Sequence, residues 1–250
     1  MDILARLACL LLALSTTTCA PGFLAGAFEN QGIPSRLRFR TVLVAGDSSI
    51  AVFDRATAAV GNRLSGAADI QRFSSTRAVI SREGAGVASL DQVLGAISTL
   101  RPARGQGCLV FATSHGAREQ GLALTVSEDF LTPASLDDAL ARGCGEAPTV
   151  VIISGCYSGN FARPPMIRPN RVILTAARAD RTSFGCSAEF EYTVYDRCLL
   201  TALDNTATWR EAHDLILGCV EEKERELNAV PSGPRAYFGQ NVAGLPIPGR

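Results

Sequence analysis

The sequence has no excess of charge of either sign, because its 24 lysines and arginines are matched by 24 aspartates and glutamates. A chain with zero formal net charge offers no general attraction for nucleic acids or anionic surfaces, so we expect no nucleic-acid partner. It also lacks internal repeats and low-complexity tracts. What it does have is 47% hydrophobic content over 250 residues, which is enough for one α/β domain with a full core.

Several motifs that carry chemistry in other proteins are missing as well. There is no GxSxG elbow, and this argues against a serine hydrolase. The eight cysteines form no CxxC pair and no finger-type spacing, and the chain has only two histidines. Because zinc sites depend on such spacings, we expect no metal and no cofactor.

The N-terminal segment has the pattern of an export signal. A basic residue precedes a short apolar stretch over 7–14, which is too short to remain as a membrane span. Ala25-Gly26-Ala27 fits cleavage by a signal peptidase, whereas Cys19 follows a loose lipoprotein-type sequence and would then carry a lipid anchor. We therefore predict a signal peptide over 1–27, a single domain over 28–250, and a periplasmic, secreted or lipid-anchored location. No later apolar run is long enough for a membrane helix.

Export changes how the cysteines are interpreted, because disulfides are the default in an oxidising compartment. Six cysteines remain after the signal: Cys108, Cys144, Cys156, Cys186, Cys198 and Cys219. If Cys156 stays a free thiol, an odd number remains and at least one more must be unpaired. Cys108 and Cys144 each lie a few residues before an apolar strand, so we predict that these two are bridged.

Apolar runs and amphipathic segments alternate along the chain. Runs rich in Val, Ile, Leu and Ala predict strands over 41–45, 109–113, 150–153 and 171–176, with weaker candidates at 70–74, 121–126 and 235–238. Helical spacing and capping residues predict helices near 54–64, 89–100, 132–142, 190–203 and 209–227. This alternation predicts an α/β fold with a mainly parallel sheet of about six strands and helices on both faces.

Two side chains suited to covalent catalysis follow neighbouring strands of this predicted sheet. The segment CLVFATSHG ends in His115 and Gly116, and TVVIISGCYSG carries Cys156 between two glycines. Functional residues of parallel sheets gather at the carboxyl ends of the strands. A histidine can activate a neighbouring thiol, and the amides of Gly116 and Cys156 can donate to a developing oxyanion. Each residue alone is more often structural, as we expect of His213 within a helix, but together they predict acyl transfer.

At these segments the sequence resembles the legumain-like family of cysteine peptidases, part of the clan that includes caspases, gingipains and separase. The family has His-Gly after one apolar strand and Ala-Cys or Gly-Cys after the next, which Ser114-His115-Gly116 and Gly155-Cys156 match. The segments 42–46 and 175–186 are similar too, and the chain looks most like the short bacterial members. The resemblance implies a caspase-like three-layer sandwich with His115 as base, Cys156 as nucleophile, and the two amides as oxyanion hole.

The resemblance also implies substrate-binding residues, with departures from the family pattern. The family has an acidic residue two positions before its nucleophile, where this chain has Ser154. The asparagine that orients the family's histidine is missing, and Asp54, displaced by one residue, is the substitute we expect. Arg55 lies near the family's arginine-histidine pair, while Thr182 and Ser183 match the segment that lines its primary specificity pocket. Ordinary capping, turn and surface roles are the alternative for these residues.

Three functions follow as hypotheses. The first is an exported endopeptidase that hydrolyses a peptide or protein substrate after a preferred residue, through a thioester on Cys156. The second keeps this acyl-enzyme but passes the acyl group to an amine, as a transamidase or transpeptidase does. The third is a non-catalytic binding protein in which Cys156 is held in a disulfide.

Overall fold

The structure is a computed structural model that describes residues 37–249. The predicted signal peptide and the candidate lipid anchor at Cys19 lie outside these residues. The strands are β1 (Arg38–Ala45), β2 (Ala68–Ser74), β3 (Gly86–Val87), β4 (Gln106–Thr113), β5 (Gly116–Ala117), β6 (Gly121–Leu124), β7 (Asp129–Leu131), β8 (Thr149–Ser154), β9 (Arg171–Thr175) and β10 (Arg235–Phe238). The helices are α1 (Val52–Leu64), α2 (Arg77–Glu83), α3 (Leu90–Ser98), α4 (Pro133–Gly143), α5 (Val194–Asn205) and α6 (Trp209–Glu226), and a 3-10 helix spans Ser158–Ala162.

Seven of these strands form one sheet in the order β10-β9-β8-β4-β1-β2-β3. Every neighbouring pair is parallel except β10, which runs antiparallel to β9. The predicted mainly parallel sheet is confirmed. It has seven strands where about six were predicted, because the two-residue strand β3 extends one edge. A second, three-stranded sheet of β5, β6 and β7 follows β4 directly.

Helices cover both faces of the main sheet, because alternate residues of each strand point to opposite sides. On β4, Leu109 and Phe111 pack into the core on the side of α1, α5 and α6. Their neighbours Val110 and Ala112 pack into the core on the side of α3 and α4. The result is the predicted three-layer arrangement, in which β4 and β8 are buried in the middle.

Local signals set several helix starts. Thr208 and Glu211 form a capping box at α6, and Thr132 caps α4 with Pro133 in its first turn. The predicted helix near 190–203 begins later, at Val194, because the Thr193 side chain caps it there. The preceding residues, 176–193, form an irregular loop over the carboxyl edge of the sheet.

Two disulfides hold helices in place. The predicted bridge between Cys108 and Cys144 is confirmed and joins β4 to the end of α4, and a second bridge joins Cys198 on α5 to Cys219 on α6. Cys156 and Cys186 remain free thiols. Among residues 37–249, no helix is long and apolar enough to cross a membrane.

Candidate active site

The pairing of the two central strands places His115 and Cys156 side by side. Thr113, the last residue of β4, is in register with Ser154, the last residue of β8. The Ser114 amide continues the ladder by donating to the Ser154 carbonyl at 3.1 Å. Since each reactive residue lies two positions beyond its strand and neighbouring strands lie about 4.8 Å apart, both reach the same point of the carboxyl edge.

The backbones of the two turns are in contact, which explains the glycines. A Cβ on Gly116 would collide with the carbonyl oxygen of Cys156, and one on Gly155 would lie 2.7 Å from the Ser114 carbonyl oxygen. The chain then turns into the 3-10 helix through Tyr157, which adopts a left-handed conformation with φ 58°. Within the described residues, the Cys156 amide makes no hydrogen bond, so it is free to donate to a substrate oxygen.

The Cys156 sulfur is held against the 176–193 loop. The Ser183 amide donates to Sγ at 3.3 Å, and the carbonyl and hydroxyl oxygens of Ser183 lie 3.7 and 3.8 Å from it. The structure therefore brings Ser183 to the nucleophile position, whereas the neighbouring Thr182 is exposed.

The His115 ring packs edge-on against Phe53, with ring centroids 5.3 Å apart and an interplanar angle of 83°. Phe53 is fully buried in α1 and fixes one side of the imidazole. Neither ring nitrogen is hydrogen-bonded to another residue within 37–249, so the ring is available to a thiol or a substrate.

The expectation that Asp54 orients His115 is wrong. The Asp54 carboxylate accepts hydrogen bonds from the hydroxyls of Ser74 at 2.7 Å and Thr76 at 2.5 Å, beside the end of β2. Successive residues of an α-helix point about 100° apart, so a helix that turns Phe53 toward the imidazole turns Asp54 toward β2. Its contacts belong to the packing of α1 on the sheet.

Arg55 binds the 176–193 loop. Its Nε donates to the Glu191 carbonyl at 2.6 Å, and its Nη2 donates to the Phe190 carbonyl at 2.7 Å. The guanidinium thus fixes the loop segment just before α5. Arg55 can therefore influence a substrate by holding this loop in position.

A buried carboxyl that the sequence reasoning missed lies under Ser154. Asp196, in the first turn of α5, is fully buried and accepts a hydrogen bond from the Thr113 hydroxyl at 2.9 Å. Burial raises its pKa to about 6, although the hydroxyls of Ser154, Thr113 and Thr193 act in the opposite direction. Its other oxygen, Oδ1, has no hydrogen-bond partner. The available signal was an aspartate inside the apolar run VYDRCLL.

The second free thiol has a different environment. Cys186 packs against a small cluster formed by Ala45, Val52 and Phe53. Burial is the main cause that raises its pKa to about 12, and repulsion from Cys156, Asp196 and Asp47 contributes to the same rise. Cys186 is therefore held as a neutral thiol at neutral pH, and this makes it a poor nucleophile.

Comparisons with known proteins identify a family and a fold. The model of the Peptidase C13 family matches residues 91–216, a segment that includes both His115 and Cys156. This chain belongs to the Peptidase C13 family. The family is the legumain family of cysteine peptidases, so the resemblance read from the sequence is confirmed and the protein is a cysteine peptidase.

The fold also has a solved counterpart. The crystal structure of caspase-1 from Spodoptera frugiperda matches with a TM-score of 0.56 at 11% identity, covering 83% of this chain and 89% of that one. At this identity the likeness concerns the fold, and it confirms the predicted caspase-like sandwich. No curated protein sequence matches the chain.

The described residues also bear on metal binding and on the third hypothesis. In the part of the chain from 37 to 249, no group of three or more His, Cys, Asp or Glu side chains is arranged to hold a metal ion. A binding protein with Cys156 in a disulfide needs a partner cysteine, but Cys156 is a free thiol in the structure. The family and the free thiol both favour an enzyme.

Proposed function

We propose that this cysteine peptidase is an exported endopeptidase whose catalytic dyad is His115 and Cys156. The observation that carries the proposal is the register of β4 and β8, which delivers both residues to one point of the sheet edge. Three further features support it: the Ser183 amide aimed at the sulfur, the free Cys156 amide, and the contact between the Gly116 and Cys156 backbones.

In the proposed mechanism, His115 takes the thiol proton and Cys156 attacks the carbonyl carbon of the scissile bond. The amides of Cys156 and Gly116 donate to the oxyanion that forms, a contribution of about 3–4 kcal/mol per donor in comparable sites. His115 then protonates the leaving amine, which departs and leaves a thioester on Cys156. Water, deprotonated by His115, hydrolyses the thioester and restores the thiol.

Around the dyad, we assign the side-chain preference to the space between Ser183 and the end of β8. Ser154 is the last residue of β8, the buried Asp196 lies beside its hydroxyl, and Thr182 is the exposed chain neighbour of Ser183. The negative charge of the ionised Asp196 carboxyl favours a nearby substrate side chain that donates hydrogen bonds or carries positive charge, and it disfavours an acidic one. Arg55 contributes to this preference indirectly, because it fixes the 176–193 loop through its hydrogen bond to the Glu191 carbonyl.

Cleavage of a peptide library by the purified protein tests this function. Wild type is expected to cleave at defined residues, and Cys156→Ala to abolish all turnover. Cys186→Ala is the matched control, because it removes the other free thiol and is expected to keep the activity. Turnover that survives in Cys156→Ala would rule out the assigned nucleophile. An added amine separates hydrolysis from transamidation, since only the latter gives an amine adduct as main product.

The location of the enzyme is a second part of the proposal. The export pattern over 1–27 and the two disulfides both suit an oxidising compartment outside the cytoplasm, periplasmic or secreted. Mass spectrometry of the mature N-terminus distinguishes a chain that begins at Phe28 from one that begins at a lipidated Cys19. An uncleaved chain recovered from the cytoplasm would contradict export.

A further inference from the structure

A cleft of about 640 Å³ lies between the 3-10 helix that follows Cys156 and the side of the sheet formed by β9 and β10. Three arginines line it, each from a different element: Arg163 follows the 3-10 helix, Arg178 lies in the loop after β9, and Arg235 begins β10. Most other lining residues are glycine and alanine. Because these side chains are small and apolar, the guanidinium groups provide most of the hydrogen-bond donors and the positive charge in the cleft.

Positive charge in this cleft is only partly balanced. Arg178 forms a two-pronged ion pair with Asp180, with both N–O distances at 2.9 Å. Arg163 and Arg235 are exposed, and in the part of the chain that the structure describes their guanidinium groups have neither an ion pair nor a hydrogen bond to another residue. Three guanidinium groups thus face one lining carboxylate in a chain whose overall charge is zero.

A second cleft of about 290 Å³, beside α1 and β2, shows that this imbalance is local. It contains two acids and two arginines, Asp54, Glu83, Arg55 and Arg72. Arg72 pairs with Glu83 at 2.7 Å, and the Asp54 carboxylate is occupied by hydroxyls. Its charges are satisfied from within the protein, so it has no unpaired charge to offer a ligand.

Two short stretches of chain connect the arginine cleft to the residues around the Cys156 sulfur. Gly159 lines the cleft and lies three residues after Cys156, so their Cα atoms are at most about 11 Å apart. Asp180 also lines it and lies three residues before Ser183, which contacts the sulfur. An extended peptide advances about 3.3 Å per residue, so a substrate residue three or four positions from the scissile bond can reach the cleft.

We propose that this cleft binds an acidic side chain of the substrate, three or four residues from the scissile bond. Arginine binds carboxylates through paired N–H donors, and Arg163 and Arg235 have all of theirs available. The inference rests on the proposed peptidase function and adds a substrate class to it: peptides with a donor side chain at the cleavage site and an acidic residue at a short distance.

Binding to the inactive Cys156→Ala protein tests the cleft without relying on turnover. The probes are fluorescent peptides of one sequence with blocked ends, carrying glutamate or glutamine at the third and fourth positions on either side of a central residue. We expect the glutamate peptides to bind roughly five- to thirty-fold more tightly at low salt, and this advantage to shrink as salt screens the charges.

The advantage should vanish when Arg163→Gln and Arg235→Gln are added together. Arg104→Gln is the matched control, since Arg104 is an exposed arginine before β4, at the opposite end of the sheet, and it should leave binding unchanged. Equal binding of glutamate and glutamine peptides would overturn the proposal. One further probe is the glutamine peptide with a free C-terminal carboxylate, and preferential binding of this peptide would also overturn the proposal, because the cleft would then bind a chain terminus.

The two proposals fail in different ways. If wild type cleaves the library but its preference for nearby acidic residues is the same in the double arginine variant, the cleft assignment is wrong and the peptidase assignment stands. If no peptide is cleaved but the binding advantage is present and depends on Arg163 and Arg235, the proposed dyad fails and the cleft remains.

Discussion

Two buried aspartates lie at opposite ends of the same sheet, and their surroundings are opposite as well. Asp137, on α4, meets two arginines at the amino end of β9: Arg168 at 2.7 Å and the buried Arg171 at 2.6 Å. Asp196, on α5, meets hydroxyl groups, two of them at the carboxyl ends of β4 and β8. Burial raises the pKa of both carboxyls, but the two arginines bring that of Asp137 below its ordinary value, while that of Asp196 rises to about 6.

The difference separates the part of the molecule that maintains the fold from the part that is suited to chemistry. At the amino end, charges are paired and the Cys108–Cys144 disulfide ties β4 to α4. At the carboxyl end, a carboxylate oxygen, an imidazole and a backbone amide have no hydrogen-bond partners among the described residues. Unsatisfied polar groups cost stability, and groups of this kind beside a candidate nucleophile are typical of functional sites.

Replacing Asp137 should have the largest effect on stability. Asp137→Asn leaves the Arg171 guanidinium, only 2% exposed, without its counter-charge, so we expect the free energy of unfolding to fall by about 3–5 kcal/mol. Because the folded pKa of Asp137 is lowered, its stabilising effect is present at neutral pH and is lost as pH falls through that pKa. Urea unfolding at pH 7 measures the change.

The control for this variant is Asp138→Asn, on the exposed face of the same helix. We expect it to change stability by less than about 0.5 kcal/mol. An equally small effect of Asp137→Asn would show that the amino end does not depend on the ion pairs.

Replacing Asp196 should raise the free energy of unfolding at neutral pH, by less than the loss expected for Asp137→Asn. The folded state binds the Asp196 proton more tightly than the unfolded state, so stability decreases as pH rises from about 4 to about 6. Asp196→Asn removes the buried charge and should raise the free energy of unfolding at pH 7.5 by about 1–3 kcal/mol. The gain should disappear at pH 4, where the wild-type carboxyl is already neutral.

Thermal unfolding of both proteins across this pH range measures the effect. If Asp196→Asn instead lowers the free energy of unfolding at pH 7.5, the Asp196 charge must be stabilised by groups other than its hydroxyl partners. The same variant should relax the preference for donor side chains in the cleavage library, because the acidic group beneath the site is gone.

Local patterns predicted the parts of the molecule that local physics determines. The apolar runs around Val110 and Ile152 were predicted as strands buried on both faces, and they form such strands. Because the two strands are parallel neighbours, the residues that follow them, His115 and Cys156, lie at the same edge of the sheet. The direction in which each side chain of a helix points is harder to predict from the sequence. Asp54 and Phe53 are neighbours, and only the packing of α1 decides which of them faces the imidazole.

Loop contacts and pairings between helices escaped the sequence reasoning for a similar reason. The bridge between Cys198 and Cys219 depends on how α5 lies against α6, which periodicity does not encode. The role of Arg55 depends on the path of an irregular loop, since its donors bind backbone carbonyls that have no side-chain signature. The unpaired oxygen of Asp196 is likewise a property of the packed fold.

The most direct test of the account is the reaction of the protein with a peptide chloromethyl ketone, with the adduct located by mass spectrometry. We predict an adduct on Cys156 and none on Cys186, whose raised pKa keeps it neutral. His115→Gln should slow the labelling by about 10²–10⁴-fold, and His213→Gln, which changes the only other histidine, should leave it unchanged. An adduct on Cys186, or equal labelling rates in wild type and His115→Gln, would contradict the dyad.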